Sequence, residues 1–217
     1  MTVLLFGFEP FLEYDENPSD IVVRRFDGRT IEGHEVVGQI LPVDYSRIRS
    51  RILSSIKAAR PSLVITFGLA AGRDRITPEK VAVNYVNSKS KDNSGNSFEG
   101  VAVEVGQPDA LFANIPVEAL VVELNSKAIP ASLSLSAGSY LCNFAMYVSL
   151  VEAKRSGFHS GLIHVPCHAE WVAKTGKQFP SLPLDSITRA AETSVSFLLK
   201  HTPKKADVAD VERERGR

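Results

Sequence analysis

Two short apolar runs, each ending in a glycine, constrain the fold of this 217-residue chain more than any other feature. Residues 3–6 (VLLF) precede Gly7, and residues 63–67 (LVITF) precede Gly68. Short continuous apolar runs of this kind are typical of strands that are buried on both faces, as in a parallel sheet. Each run lies next to a segment with helical spacing, so the sequence predicts repeated strand–helix units.

Apolar residues with a spacing of about 3.6 predict five helices in this chain. These are a helix from Pro18 to a stop at Gly28, residues 44–60, residues 117–127, a helix from a Ser139 cap to a stop at Gly157, and residues 184–201. Asn17 precedes Pro18 and is placed to cap the first helix, because asparagine is a favoured N-cap and proline a favoured first residue.

Three further segments complete the predicted order of elements. Residues 161–165 (GLIHV) indicate another buried strand, which Pro166 ends. Residues 132–136 (SLSLS) alternate with period two, as in a strand with one face in solvent. Residues 87–100 are polar and rich in Ser, Asn and Gly, which favours a long surface loop, either a lid or a hairpin.

This alternation predicts a single-domain, three-layer α/β/α fold around a mostly parallel or mixed sheet. The domain covers residues 1–201, and residues 202–217 form a charged, frayed tail. In such sheets, ligands bind beyond the carboxyl ends of the strands. In this chain, those positions are the segments after Phe6, Phe67 and Leu135 and the end of the strand that contains His164.

Composition excludes several classes of partner. The chain has 25 basic and 25 acidic residues, so it lacks the basic excess that nucleic acids or anionic membranes require. Residues 1–8 are too short and uncharged to form a signal peptide, and no apolar segment is long enough to span a membrane. We therefore expect a cytoplasmic protein whose two cysteines are free thiols.

Cys142 is the candidate nucleophile, because it lies in the first turn of a predicted helix. Unpaired N–H groups and the helix dipole lower a thiol pKa there and also provide an oxyanion site. The alternative is a small, inert buried residue. His164 is the candidate base, since it ends a buried strand; the alternative is a core imidazole bonded to a backbone carbonyl.

A third group would orient the imidazole, and Glu79 is the candidate carboxylate. Its alternative is a solvated charge at the edge of a loop. A different hypothesis groups His164, Cys167 and His168 as ligands of a metal-dependent hydrolase. That pattern is weak, because it lacks the paired spacing that is typical of zinc sites. No glycine-rich nucleotide motif is present.

Four segments together resemble the pyrrolidone-carboxylate peptidases, a family of cysteine peptidases also called type I pyroglutamyl peptidases. The segments are residues 7–11 (GFEPF) with 17–19 (NPS), residues 68–73 (GLAAGR) with Ile76, Glu79, Val81, Ala82 and Asn84, residues 137–143 (AGSYLCN), and residues 163–166 (IHVP). Each segment alone is a weak signal, but all four in this order make a specific match.

The resemblance implies an α/β/α enzyme that removes N-terminal pyroglutamate (5-oxoproline) from peptides through a thioester acyl-enzyme. It assigns Cys142 as nucleophile, His164 as base and Glu79 as the orienting carboxylate, in agreement with the residue types above. It also implies a cytosolic homo-oligomer, often a tetramer, that needs no cofactor or metal. The implied substrate-binding residues are Phe8, Phe11, Asn17, Leu69, Tyr140 and Leu141.

Two questions remain open at the level of sequence. Arg73 either helps to hold the oxyanion or forms a structural ion pair within its loop. Residues 89–93 (KSKDN) and 167–170 (CHAE) depart from the pattern that is usual in the family. A non-catalytic relative that binds the ring without turnover is therefore the alternative to an active peptidase.

Overall fold

The computed structural model describes residues 2–202. The predicted tail, apart from Thr202, lies outside these residues. Within them, no helix is long and apolar enough to cross a membrane.

A mixed six-stranded sheet forms the centre of the molecule, in the order β2-β3-β1-β4-β10-β5. Its four middle strands are parallel, whereas β2 and β5 at the two edges run antiparallel to their neighbours. The strands are β1 (Thr2–Phe8), β2 (Thr30–Ile31), β3 (His34–Leu41), β4 (Leu63–Leu69), β5 (Thr77–Glu79) and β10 (His159–Val165). The predicted mixed sheet is confirmed.

Three two-stranded ribbons lie outside this sheet, pairing β6 with β9, β7 with β8, and β11 with β12. Their bounds are β6 (Val81–Val83), β7 (Val86–Ser88), β8 (Phe98–Val101), β9 (Ala110–Phe112), β11 (Cys167–His168) and β12 (Ser181–Leu182). Residues 87–100, predicted as a loop, therefore have paired ends and form a hairpin, which was the second of the two predicted alternatives.

Helices cover both faces of the sheet and complete the three predicted layers. Helices α1, α3 and α6 pack on one face and on one another, while α2 and α4 pack together on the other face. The bounds are α1 (Pro18–Phe26), α2 (Tyr45–Ala59), α3 (Val117–Ser126), α4 (Leu141–Ser156), α5 (Ala169–Thr175) and α6 (Leu184–His201). The five predicted helices are all present, and the short α5 is additional.

Local capping explains where the helices begin and end. Asn17 Oδ1 accepts a hydrogen bond from Ser19 N at 3.0 Å, so Asn17 caps α1 as predicted. Asp44 caps α2 in the same way, and Arg60 ends that helix in the left-handed region at φ 45°. Ser139 is not the cap of α4, because Tyr140 occupies that position and the Ser139 hydroxyl donates to Asn87 O at 2.6 Å instead.

The period-two segment 132–136 was predicted as a strand, and this prediction is wrong. Ser134 forms only an isolated bridge to Glu79, and the neighbouring Ala131 forms another to Ile76. The segment runs beside the edge strand β5 without a continuous ladder, and its two leucines, Leu133 and Leu135, are 40% and 67% exposed. The long strand β3 was missed, although it pairs with β1 along seven positions.

Replacement of Gly7 by alanine tests the packing of β1 against α1. An alanine Cβ at this position would lie 2.5 Å from Ser19 O and 2.9 Å from Ser19 C, both of them backbone atoms. We expect Gly7→Ala to lower the free energy of unfolding by roughly 1–3 kcal/mol, as overpacking does. Urea denaturation measures the change, with Ser54→Ala on the exposed face of α2 as control. If the midpoint of urea denaturation is the same for Gly7→Ala and the wild type, the close packing of β1 against α1 at Gly7 is contradicted.

Candidate active site

Cys142 lies in the first turn of α4, where the backbone N–H groups point out of the helix. No side chain caps this helix, and its first turn closes with a hydrogen bond from Phe144 N to Tyr140 O at 3.1 Å. The N–H groups of Cys142 and its neighbours in that turn have no partner within the helix. The thiol is partly exposed, in agreement with the predicted setting of Cys142.

The His164 ring and the Cys142 thiol both lie against Gly68 at the carboxyl end of the sheet. His164 is 4% exposed and pairs in register with Gly68 of the neighbouring strand β4. The position that a Cβ on Gly68 would occupy is 2.9 Å from Cys142 Sγ and 3.5 Å from His164 Nε2. Gly68 therefore has to lack a side chain for the sulfur and the ring to lie together.

Glu79 completes the cluster from the edge strand β5. Its side chain is fully buried, and Oε1 lies 2.7 Å from His164 Nδ1. A carboxylate accepts hydrogen bonds, so Nδ1 carries the proton and Nε2 is left with a free lone pair towards the thiol. The alternative of a solvated Glu79 is contradicted, because this carboxylate lies in the core between β10 and residues 131–136.

Arg73 forms an ion pair with the buried carboxylate. Its Nη1 donates to Glu79 Oε1 at 2.6 Å and also to Thr77 Oγ1, while Nη2 donates to Ser136 O at 3.1 Å. Both terminal nitrogens are thus engaged by the protein. Of the two alternatives for Arg73, the geometry favours the structural ion pair over a role at the oxyanion.

Burial dominates the protonation of the three central groups. Burial lowers the pKa of His164 from its usual 6.5, against the opposing effect of Glu79. For Glu79, burial raises the pKa, but the hydrogen bonds with His164 and Arg73 and the charge of His164 outweigh it, so the net pKa is lowered and the carboxylate stays ionised.

Burial also raises the pKa of the Cys142 thiol to about 12, and the nearby Glu79 carboxylate adds to the effect. The prediction that the helix start lowers this pKa is therefore wrong. Desolvation is the largest cause of this raised pKa, Glu79 adds to it, and the charge of Arg73 opposes it. At neutral pH the resting pair is a neutral thiol beside a neutral imidazole.

A small apolar pocket opens directly beside the thiol. Its lining residues come from five separate segments of the chain: Phe8, Phe11, Asn17, Val43, Leu69, Tyr140, Leu141 and Cys142. All six predicted substrate-binding residues are among them. The pocket is narrow, with a cavity volume of about 10 Å³, so its walls lie close together beside the thiol.

The pocket walls are held by the fold around them. Phe8 N donates to Ser19 Oγ at 3.1 Å, and Asn17 Nδ2 donates to Glu9 O at 3.2 Å, so the polar atoms of Asn17 are used in structure. The rings of Phe11 and Tyr140 lie 6.3 Å apart, centroid to centroid. Val43 was missed at the level of sequence, because it sits in the connection before α2 and carries no motif.

The second cysteine and its histidine neighbour lie in a different environment. Cys167 is buried among Tyr14, Leu69 and Trp171, and His168 caps the short α5 by accepting from Trp171 N. His168 contacts Glu16 and Glu170, each at 3.3 Å, whereas the ring of His164 is bonded to Glu79. No group of three metal-ligating side chains comes together within residues 2–202, so the proposed His164, Cys167 and His168 cluster is wrong.

The fold and the site define a class of protein: an α/β domain in which a cysteine, a histidine and a carboxylate adjoin a small apolar pocket, as in thiol hydrolases. Within that class, residues 1–201 match the family model for pyroglutamyl peptidases. The chain belongs to the pyroglutamyl peptidase family.

Relatives and solved structures agree with this family. The chain is 48% identical to pyrrolidone-carboxylate peptidase 1 of Saccharolobus solfataricus over 96% of this chain and 99% of that protein. It is 38% identical to the pyrrolidone-carboxylate peptidase of Oceanobacillus iheyensis over 90% of this chain and 98% of that protein. The pyrrolidone carboxyl peptidase of Thermococcus litoralis is similar in structure, with a TM-score of 0.89 and 34% identity over 92% of this chain and 94% of that one.

Alkylation by iodoacetamide tests the contact between the thiol and the imidazole. Cys142 is partly exposed beside a base, so it should react in preference to Cys167, which is 1% exposed. In Gly68→Ala the added methyl group would lie 2.9 Å from Sγ and 3.3 Å from His164 Cδ2, and so push the two apart. We expect labelling to slow by roughly tenfold or more, because a positioned base contributes about 10²–10⁴.

Peptide mass spectrometry at neutral pH measures both rates. Equal labelling of the two cysteines in the wild type would contradict the assignment of His164 as the partner of Cys142. A correctly folded Gly68→Ala variant that is labelled at the wild-type rate would do the same.

Proposed function

We propose that this protein removes N-terminal pyroglutamate from peptides, with Cys142 as nucleophile, His164 as general base and Glu79 as the carboxylate that orients the imidazole. The observation that carries this proposal is that the Cys142 thiol and the His164 ring both lie against Gly68, with His164 hydrogen-bonded to the buried Glu79 and a small apolar pocket beside the thiol. Membership of the family supports the same reaction.

The pocket suits a neutral ring rather than a charged amine. Its walls are mostly apolar, and no carboxylate is among the residues that line it. An ordinary peptide N-terminus is a cation, which would lose its hydration in this pocket and gain no partner charge there. A pyroglutamyl lactam is uncharged and flat, so Phe8, Phe11 and Tyr140 can pack on it without that cost.

Acylation begins from the neutral pair of thiol and imidazole. The Cys142 sulfur attacks the carbonyl carbon that joins pyroglutamate to the next residue, and its proton moves to His164 Nε2. The imidazolium that forms is stabilised by Glu79 through Nδ1–H. His164 then gives the proton to the departing amine, the C–N bond breaks, and a thioester remains on Cys142.

Backbone N–H groups at the start of α4 stabilise the negative oxygen of the tetrahedral intermediate. They lie beside the sulfur, have no partner within the helix, and are reinforced by the helix dipole. In the second half of the reaction His164 takes a proton from water, the hydroxide attacks the thioester, and the thiol is restored as 5-oxoproline leaves. Arg73 acts through Glu79 by keeping that carboxylate ionised and in place.

We also propose that the protein is cytoplasmic and forms a homo-oligomer, a tetramer by resemblance to its family. Exposed large apolar side chains, among them Phe112 at 71% exposure and Val122 at 70%, are available for contacts between subunits. Sedimentation velocity measures the oligomeric state of the protein in solution.

A panel of three substrates tests the reaction and its specificity. Hydrolysis of a pyroglutamyl fluorophore should greatly exceed that of the alanyl and prolyl analogues, because proline lacks the lactam carbonyl and brings a charge. Cys142→Ala should reduce kcat by roughly 10³-fold or more. Cys167→Ala is the matched control and should keep activity within about twofold of the wild type, since Cys167 does not line the pocket and removal of its sulfur leaves Cys142 in place.

Two outcomes would refute the proposal. Equal rates with the three substrates would remove the specificity. Binding of the ring by the wild type without any turnover would instead identify a non-catalytic relative.

The pH profile tests the neutral resting pair. A protonated His164 cannot accept the thiol proton, so kcat/KM should fall as the pH drops through the pKa of His164. Burial lowers that pKa, and the midpoint of the acid limb should therefore lie below 6.5. Because the thiol pKa is about 12, no second rise should appear between pH 7 and 9. A rise in kcat/KM across that interval would show instead that a pre-formed thiolate is the reactive species.

A further inference from the structure

The segment between β7 and β8 is tied to the walls of the ring pocket. This clamp segment comprises residues 91–96. It contributes no residue to the pocket lining, yet its hydrogen bonds reach the neighbours of several lining residues.

Asp92 anchors the clamp segment on α2. Its carboxylate is 5% exposed and accepts a hydrogen bond from Tyr45 N, the first residue of that helix, at 3.0 Å. It also accepts from Ser94 N at 3.0 Å and Asn96 N at 2.8 Å, which folds the segment into a tight turn. These hydrogen bonds fix the clamp segment against the start of α2.

Asn93 connects this anchor to two pocket walls. Its backbone N–H donates to Val43 O at 2.9 Å. Its side-chain Nδ2 donates to Glu9 Oε1 and to Pro10 O, each at 2.9 Å. Glu9 Oε1 in turn accepts from Val43 N at 2.9 Å, so one bond joins the two walls directly and Asn93 joins them a second time.

A third wall is bonded to the same segment. The Tyr140 hydroxyl donates to Lys91 O at 3.0 Å. Three walls that are far apart in sequence, residues 8–11, Val43 and Tyr140, therefore share one hydrogen-bonded support.

We propose that Asn93 is a positioning residue that sets the width of the pocket for the pyroglutamyl ring. This inference rests on the function proposed above. Asn93 Nδ2 holds the Glu9 side chain and the Pro10 carbonyl, so its loss frees Phe11 to move away from Val43, while Phe8 stays held in β1. The ring then loses packing on one side and binds more weakly.

The chemistry itself should be spared, because the reacting groups are carried by other elements. Cys142 lies on α4, His164 on β10 and Glu79 on β5, and none of them bonds to Asn93. Loss of the clamp should therefore raise KM and leave kcat nearly unchanged. A general loss of structure would instead lower kcat as well.

Three variants test the clamp with the full-length protein. Asn93→Ala removes both side-chain hydrogen bonds, and we expect KM for a pyroglutamyl fluorophore to rise roughly 5- to 10-fold, in line with the net value of such bonds. Asn93→Asp is isosteric but places a second carboxylate against Glu9, so its KM should rise further. In the double variant Glu9→Gln, Asn93→Asp that repulsion is absent, and KM should recover part of the loss.

Ser90→Ala is the matched control, since Ser90 is exposed in the same hairpin outside the clamp segment. Its KM and kcat should equal those of the wild type. If Asn93→Ala and Asn93→Asp keep the wild-type KM, or if kcat falls with KM unchanged, the clamp is refuted. If KM of the double variant Glu9→Gln, Asn93→Asp is no lower than that of Asn93→Asp alone, repulsion by Glu9 is not the cause of the raised KM.

Binding of free 5-oxoproline separates this inference from the proposed reaction. Calorimetry in the Cys142→Ala background measures ring affinity without turnover, and Asn93→Ala should weaken it by the same factor as KM. Wild-type protein that binds 5-oxoproline but hydrolyses no pyroglutamyl substrate would refute the reaction and leave the clamp standing. Equal affinity with and without Asn93 would refute the clamp alone.

Discussion

The hydrogen bond between His164 Nδ1 and the buried carboxylate of Glu79 is the interaction on which the site depends. A carboxylate at 0% exposure is costly unless it is paired and bonded, and Arg73 supplies the compensating charge. The pairing is possible because β5 runs antiparallel to β10, which brings Glu79 beside Leu162 and within reach of the imidazole. The same bond selects the tautomer that leaves Nε2 free to act as a base.

Recognition of the ring and chemistry on the peptide bond are carried by different parts of the chain. The reacting groups come from the carboxyl side of the sheet and from the start of α4, whereas half of the pocket wall comes from connections, several of which are tied together by hydrogen bonds. The two parts meet at Cys142 and its neighbours and at Leu69, which follows Gly68 on β4. Substitutions in the connections should therefore change affinity, and substitutions on β5, β10 or α4 should change turnover.

Sequence patterns were sufficient for the elements whose residues carry local signals. The apolar runs before Gly7 and Gly68, the Asn17 cap and the helix before Pro61 were all predicted correctly. Patterns failed where the outcome depends on contacts between distant segments. The raised pKa of Cys142 follows from burial beneath other elements, and the supports at Val43 and Asn93 follow from pairing across about 50 residues. The sequence of residues 132–136 alternates as it does in a strand, but in the structure this segment pairs with β5 only through the isolated bridge between Ser134 and Glu79.

The protonated state of the resting thiol has a consequence for damage by oxidants. Peroxide oxidises thiolates far faster than thiols, so a sulfur that ionises only during attack on substrate is a poor target for conversion to sulfenic acid. The other sulfur, in Cys167, is shielded by burial and also has a raised pKa. The resting enzyme should therefore withstand peroxide better than a thiol peptidase whose sulfur is kept as a pre-formed thiolate.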